Sequence, residues 1–406
     1  MDRFDFDKEV DRRGTGSLKW DVEPGELPMW VADMDFETAP CVRESIEKRA
    51  AHGVFGYNIV PTEWYEAYQS WWEKRHHFRM EQDWLIFCTG VVPAISSIVR
   101  KMTTVGENVV ILTPVYNIFF NSIINNGRNV IQCPLKYNGC GANCGDSQEK
   151  SGAAVEYEID FEALESVLSD PQTSLLIFCN PHNPVGRIWN REELARVGEL
   201  CKKYHVLLLS DEIHCDLTDP GTEYIPMASV SETCREISIT CIAPTKTFNI
   251  AGMQTAAVMV PDPVLRHKVW RGLNTDEVAE PNTFAIPVSV AAFKEGAPWL
   301  DALREYLYEN KKCVREYVKE HLPKLHVVFS EATYLLWINI SCYSKDSVEL
   351  TEYLRRETGL YVSEGAEYGE AGREFLRLNI ACPRTRLLEG LERLREGLLK
   401  YETRLK

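Results

Sequence analysis

Apolar and polar positions follow two different rhythms along the 406 residues of this chain. In its middle, short unbroken apolar runs recur: LIFC (85–88), NVVIL (108–112), SLLIFC (174–179), VLLLS (206–210) and EISITCIA (236–243). Runs of this length without alternation are how strands buried on both faces read. Helical periods lie between several of them, in TGVVPAISSIVRKM, TPVYNIFFNSIINNG and REELARVGELCKKYH. The alternation predicts the α/β class with a mostly parallel sheet.

From residue 301 the rhythm changes. DALREYLYENKKCVREYVKEHL (301–322) predicts a long amphipathic helix, with strands in HVVFS, YLLWINIS and FLRLNIA. SVELTEYLRRETG and the stretch from about Thr385 predict two further helices. This is the pattern of a smaller α/β domain joined through the long helix. The first fifty residues have no period and are rich in Trp, Met and Asp, so they are expected to pack across both domains. The expected organisation is an N-terminal segment (1–50), a large domain (51–290) and a small C-terminal domain (291–406). There is no internal repeat.

Composition narrows the function classes. A net charge of −15 argues against a nucleic-acid partner held by bulk electrostatics. No apolar run approaches a membrane span, and the start, MDRFDFDKEVDRR, is charged throughout. The 13 cysteines sit mostly in apolar runs, as small core residues do. A cytoplasmic protein is expected. Cys140 and Cys144 lie in YNGCGANCGDSQEKSGAA; without two further ligands nearby they read as part of an exposed loop insertion, and no metal site is expected.

In open parallel sheets a ligand sits beyond the carboxyl ends of the strands. The residues just past the expected strands are Gly90, Val91 and Val92, Tyr116, Asn180 and Asn183, Asp211 and His214, and Lys246. Gly90 opens a helix whose first N–H groups suit a phosphate. Tyr116 offers an aromatic face. Asp211, at the end of a buried run, needs a cationic partner. Lys246, in IAPTKTFNI, is either a side chain reaching for solvent at a loop or an amine kept for covalent chemistry. A phosphate, a flat ring, a ring nitrogen needing a carboxylate and an aldehyde needing an amine together describe pyridoxal phosphate.

The motifs NPHNPVGR, SDEIHCDL, APTKTFNIAG and RLNIACPR, in this order, resemble the fold-type I pyridoxal-phosphate enzymes related to aspartate aminotransferase. DRRGTGSLKWD, PMWVADMDF and FGYN are similar to the branch of cystathionine β-lyases and cysteine C–S lyases. The likeness runs nearly end to end, with 138–154 its least familiar part. It implies a seven-stranded, mostly parallel sheet between helices, plus a smaller α/β C-terminal domain. It implies that Lys246 links to the cofactor aldehyde and later moves the Cα proton. Asp211 would pair with the ring nitrogen, Asn183 and His214 with the ring hydroxyl, and Tyr116 would stack on the ring. Val91 and Val92 would give N–H groups to the phosphate, and Thr245 a hydroxyl. Tyr57 would reach the phosphate in a neighbouring subunit of a homodimer, and Arg377 would hold the substrate carboxylate.

Departures from the aminotransferase pattern carry information. His214 stands where those enzymes usually have Tyr. Ala243 removes a phosphate-binding hydroxyl, and Gln254 stands where a phosphate-binding Arg is usual. Trp30, Asp33 and Asp35 either pack or line the substrate mouth. The resulting expectation is α,β-elimination on L-cystathionine or a related L-cysteine S-conjugate. An aminotransferase on the same scaffold and a cofactor-bound regulatory partner protein are the alternatives.

Overall fold

The computed structural model describes residues 4–139 and 156–405, so Cys140 and Cys144 lie outside the described residues. Seven strands form the main sheet, in the order Leu85–Cys88, Ala256–Met259, Ser238–Ile242, Leu207–Asp211, Thr173–Cys179, Asn108–Thr113 and Asn129–Pro134. All neighbours are parallel except Ala256–Met259, which runs antiparallel to both of its own.

The unbroken apolar runs are explained by burial on both faces. Val109, Ile111, Leu175, Ile177, Leu209 and Ile239 pack into one core with the helix Val91–Met102. The alternate residues Val110, Leu112, Leu176, Phe178 and Leu208 pack into another with the helix Arg191–Lys203. That helix starts where its sequence says it should. Asn190 accepts from the Glu193 N–H at 2.9 Å, and Glu193 reaches back to the Asn190 N–H at 2.8 Å. In the register of the sheet, Cys179 is level with Asp211, and Asp211 with Cys241. The loops that follow these three strands therefore leave the sheet at one height.

A second sheet, all antiparallel, has the order His326–Val327, Leu335–Asn339, Phe375–Asn379 and Ser363–Glu364. Helices Ala297–His321, Ser347–Thr358 and Arg384–Leu405 accompany it in the chain. The N-terminal segment touches both parts. The Met34 N–H donates to Asn249 Oδ1 at 3.0 Å, and the Asp35 N–H to the Ala381 carbonyl at 2.8 Å.

Three local expectations are corrected. The first fifty residues are not irregular throughout, because Pro40–Ala51 is a helix. It buries only Val42 fully, so no apolar stripe marks it in the sequence. EISITCIA is not one strand: Glu232–Ile237 is helical, capped by Ser231 on the Cys234 N–H, and the strand starts at Ser238. Asn129–Pro134 and Ala256–Met259 were not among the expected strands. The first is a half-exposed edge with a polar face, and the second is only four residues long.

Candidate active site

A cavity of about 350 Å³ opens beyond the carboxyl ends of the central strands. Val91, Val92, Tyr116, Asn183, Asp211, His214, Thr245 and Lys246 all line it, as does Gln254. Of the expected site residues, Arg377 does not line the cavity but reaches its border through Asn183, and Tyr57 lies away from it, fully exposed at 102%. Ala243 is buried in the strand-to-helix junction and does not line the cavity.

Asp211 ends its strand, and its Oδ1 accepts the Ile213 N–H at 3.1 Å. This tight turn brings His214 back to the cavity wall. Glu212 faces the other way and anchors the turn, accepting from Ser210 Oγ, the Met227 N–H and the Tyr224 hydroxyl. Burial pushes the Asp211 carboxyl up to about 7, against the opposing pull of the Ile213 N–H and of Lys246. Burial pulls His214 down to about 3, with Lys246 and Arg377 adding to the effect. This imidazole is neutral, and its buried Nδ1 has no hydrogen-bond partner.

Lys246 sits in a single helical turn, Pro244–Thr247, opened by a proline where no backbone donor is needed. Thr247 Oγ1 donates to the buried Asp216 at 3.0 Å and fixes the turn. Asp216 also accepts from His76 at 2.9 Å and Trp71 at 3.0 Å, so its oxygens are committed. Lys246 Nζ donates to the Ala32 carbonyl at 2.5 Å. Burial lowers its ammonium to about 8, with Asp33 opposing, Arg377 adding and Asp211 opposing. Lys246 is the one cation among the described residues that line the cavity.

The helix Val91–Met102 begins at the cavity with Gly90, and no side chain caps its first N–H groups. Thr89, Thr245 and Gln254 surround that end. On the opposite side, Arg377 rises from the middle of the strand Phe375–Asn379, only 4% exposed. Its Nη1 donates to Asn183 Oδ1 at 3.3 Å and its Nη2 to the Trp30 carbonyl at 2.9 Å. Its Nε is buried without a partner, and the guanidinium lies 4.8 Å from the Tyr368 ring centre.

The segment Trp30–Phe36 forms the rim, and it does so with its backbone. Asn379 Nδ2 holds the Val31 and Asp33 carbonyls at 2.6 and 2.7 Å. Asn249 Nδ2 holds those of Met34 and Phe36 at 3.0 and 2.8 Å. The acids of the segment face a charge network. Arg12 binds Asp33 at 2.7 Å and Asp35 at 2.9 Å, Lys19 binds Asp35 at 3.1 Å, and Arg386 lies 3.3 Å from Asp35. Sequence reasoning reached Trp30, Asp33 and Asp35 but missed Ala32, Tyr334, Asn249 and Asn379. The last two are legible in retrospect, as amides just after the lysine and just after Arg377.

Comparison with known proteins agrees with this layout. The family model described as aminotransferase class I and II matches residues 27–394. The chain belongs to the aminotransferase class I and II family. Within this family it is 39% identical over 402 residues to cystathionine beta-lyase PatB of Bacillus subtilis, covering 97% of this chain and 100% of that protein. It is 32% identical to protein MalY of Escherichia coli, covering 96% and 97%. Among solved structures, that of cystalysin from Treponema denticola, which contains a pyridoxal 5'-phosphate cofactor, superposes with a TM-score of 0.91. It is 33% identical and covers 98% of this chain and 99% of its own.

Proposed function

We propose that this family member is a pyridoxal-phosphate-dependent carbon–sulfur lyase. It cleaves L-cystathionine or a related L-cysteine S-conjugate by α,β-elimination, giving pyruvate, ammonia and a thiol. The observation that carries the reading is the convergence of Lys246 and Asp211 on one cavity, with Arg377 at its border.

The residues fit the cofactor. Asp211 is a buried carboxyl with no cation bonded to it, as a protonated ring nitrogen would require. The uncapped helix end at Gly90 suits a phosphate, with Thr245 and Gln254 as neutral donors beside it. His214 Nδ1 lacks a partner, and Asn183, whose oxygen is taken by Arg377, keeps its amide protons for the ring hydroxyl. Tyr116 supplies the stacking face.

When bound, pyridoxal phosphate supplies an aldehyde for amine exchange and a cationic ring that takes up the electron pair left at Cα. The chain's residues do the rest. The Arg377 guanidinium, desolvated and with Nε unpartnered, holds the substrate α-carboxylate. Lys246 takes the Cα proton at Nζ. Its lowered basicity leaves a usable fraction neutral near pH 7–8, where an ordinary lysine is almost wholly protonated. The Asp211 carboxylate keeps the ring nitrogen protonated. The thiolate then departs from Cβ, and the released enamine hydrolyses to pyruvate and ammonia.

The likeness to PatB supports elimination over transamination as the main activity. The test is pyruvate release from cystathionine with no keto-acid acceptor present. Strict dependence on an acceptor would replace the lyase reading with an aminotransferase.

The assembly belongs to the same proposal. Val54, Phe55, Tyr57 and Ile59 form an exposed apolar run in one chain. A homodimer would cover it and bring Tyr57 to the partner's phosphate; a monomer in sedimentation equilibrium would overturn this. The domain division at about residues 50 and 290 and a cytoplasmic location complete the reading. Buried thiols such as Cys88, Cys179 and Cys241 suit a reducing compartment. Among the described residues, no helix is long and apolar enough to cross a membrane.

A further inference from the structure

Among the rim carbonyls, that of Ala32 takes two donors that face the reaction. Lys246 Nζ approaches at 2.5 Å and the Tyr334 hydroxyl at 3.0 Å. A carbonyl oxygen has two lone pairs, so this pair saturates it. Tyr334 is fully buried just before the strand Leu335–Asn339, with its backbone carbonyl held by the Ile380 N–H at 2.9 Å. Its ring meets that of His214 edge-on, with centroids 6.3 Å apart. Burial pushes its phenol far above the usual value, so it remains a donor at any working pH.

The neighbours of Ala32 are held independently. Asn379 binds the carbonyls on either side, at Val31 and Asp33. Arg12 binds the Met34 carbonyl at 3.0 Å together with the carboxylates of Asp33 and Asp35. The Ala32 oxygen is therefore fixed from both flanks, and it is the flexible lysine that comes to it.

We infer that Tyr334 is a positioning residue for Lys246: it fixes the Ala32 carbonyl as the acceptor of one Nζ proton and so aims the amine's lone pair. The inference rests on the reading that Lys246 carries the Cα proton. A neutral amine has two N–H bonds and one lone pair. With one N–H bound to Ala32, the lone pair can only turn about that bond. When Nζ takes the Cα proton, the electron pair of the broken C–H bond stays with the substrate and the amine becomes an ammonium. Its bond to Ala32 then becomes charge-assisted and stronger, which favours the product of the transfer over the reactant.

The experiment compares Tyr334→Phe, which removes only the hydroxyl, with the parent holoenzyme. The expected result is a fall in kcat of about tenfold with KM little changed, and a larger isotope effect from Cα-deuterated substrate. Melting temperature and cofactor content stay near those of the parent. In the apo protein, attachment of pyridoxal phosphate to Lys246, trapped with borohydride and read by mass, slows several-fold. Arg12→Gln loosens the same carbonyl from outside the cavity and moves the same readouts less far; it decides the matter if Tyr334→Phe does not fold. An unchanged isotope effect together with an unchanged attachment rate overturns the inference and leaves the role of Lys246 standing. Turnover surviving in Lys246→Ala instead sinks the proton-transfer reading itself.

Discussion

The floor of the cavity is made by strand ends and its rim by a segment with no regular structure, and the two contribute different atoms. At the strand ends the chemistry lies in side chains: Asp211, Lys246 and the loop amide Asn183 follow strands that leave the sheet at one height. In Trp30–Phe36 it lies in backbone carbonyls, those of Trp30 to Met34 and of Phe36 each claimed by a side chain from elsewhere in the chain, such as Arg377, Asn379 or Asn249. The sheet can place its residues by register alone. The rim has no strand partner to do so and relies on amide and guanidinium donors, one at a time. Substitutions at the floor should therefore abolish chemistry while sparing the fold, and substitutions at the rim's anchors should affect both.

The largest effect is expected at Lys246→Ala. Pyruvate release should fall by roughly 10³-fold or more, since both covalent attachment and proton transfer are lost. Circular dichroism should be unchanged, because the turn is held by Thr247 and Asp216. Arg377→Ala stands between floor and rim. It should raise KM by about 10²-fold, corresponding to about 3 kcal/mol of lost charge-assisted hydrogen bonding. It should also leave the Trp30 carbonyl with only the long bond from the Ser363 hydroxyl, at 3.4 Å, and faster proteolysis of the N-terminal segment would register the loosening.

A pH titration sharpens the floor side of the comparison. Cofactor attachment to the apo protein needs the neutral amine. Its rate should rise about tenfold per pH unit and level off above about 8, the value to which burial lowers Lys246. A rise that continues towards the ordinary lysine value would mean that the site is more hydrated than its geometry indicates. The smallest effect on the chemistry belongs to the rim. Asn379→Ala removes one donor from each of two rim carbonyls, leaving Val31 with the Asp33 N–H and Asp33 with Lys19, so it should cost about 1 kcal/mol of stability, read as a lower melting temperature, with kcat reduced only in proportion to rim disorder.

Legibility in the sequence follows the same divide. The strands were readable because burial on both faces leaves unbroken apolar runs, and Lys246 and Asp211 were readable because a lone charge after such a run needs a reason. Ala32 was not readable, since every residue type carries a carbonyl and nothing in Trp-Val-Ala-Asp says which one faces the cavity. Tyr334 was hidden for a different reason. It sits among aromatic and aliphatic residues of a core strand, where a tyrosine ring already has a packing explanation and its hydroxyl goes unnoticed. The helix Pro40–Ala51 escaped because a surface helix with one fully buried residue has almost no period to detect.

The charge network beneath the rim sets an order of events during synthesis. Asp35 meets Lys19 and Arg12 from the early part of the chain but also Arg386 from its last helix. At ~5–20 residues per second, roughly 20–70 s separate the appearance of Asp35 from that of Arg386 on the ribosome. The large sheet can form within that interval, complete with Lys246 and Asp211. The rim, and with it the acceptor for the lysine, closes only when the final helix arrives. A nascent chain at that stage would own the chemical groups of the enzyme without their alignment, so competence comes with the first turn of the C-terminal helix rather than with the fold that carries the lysine.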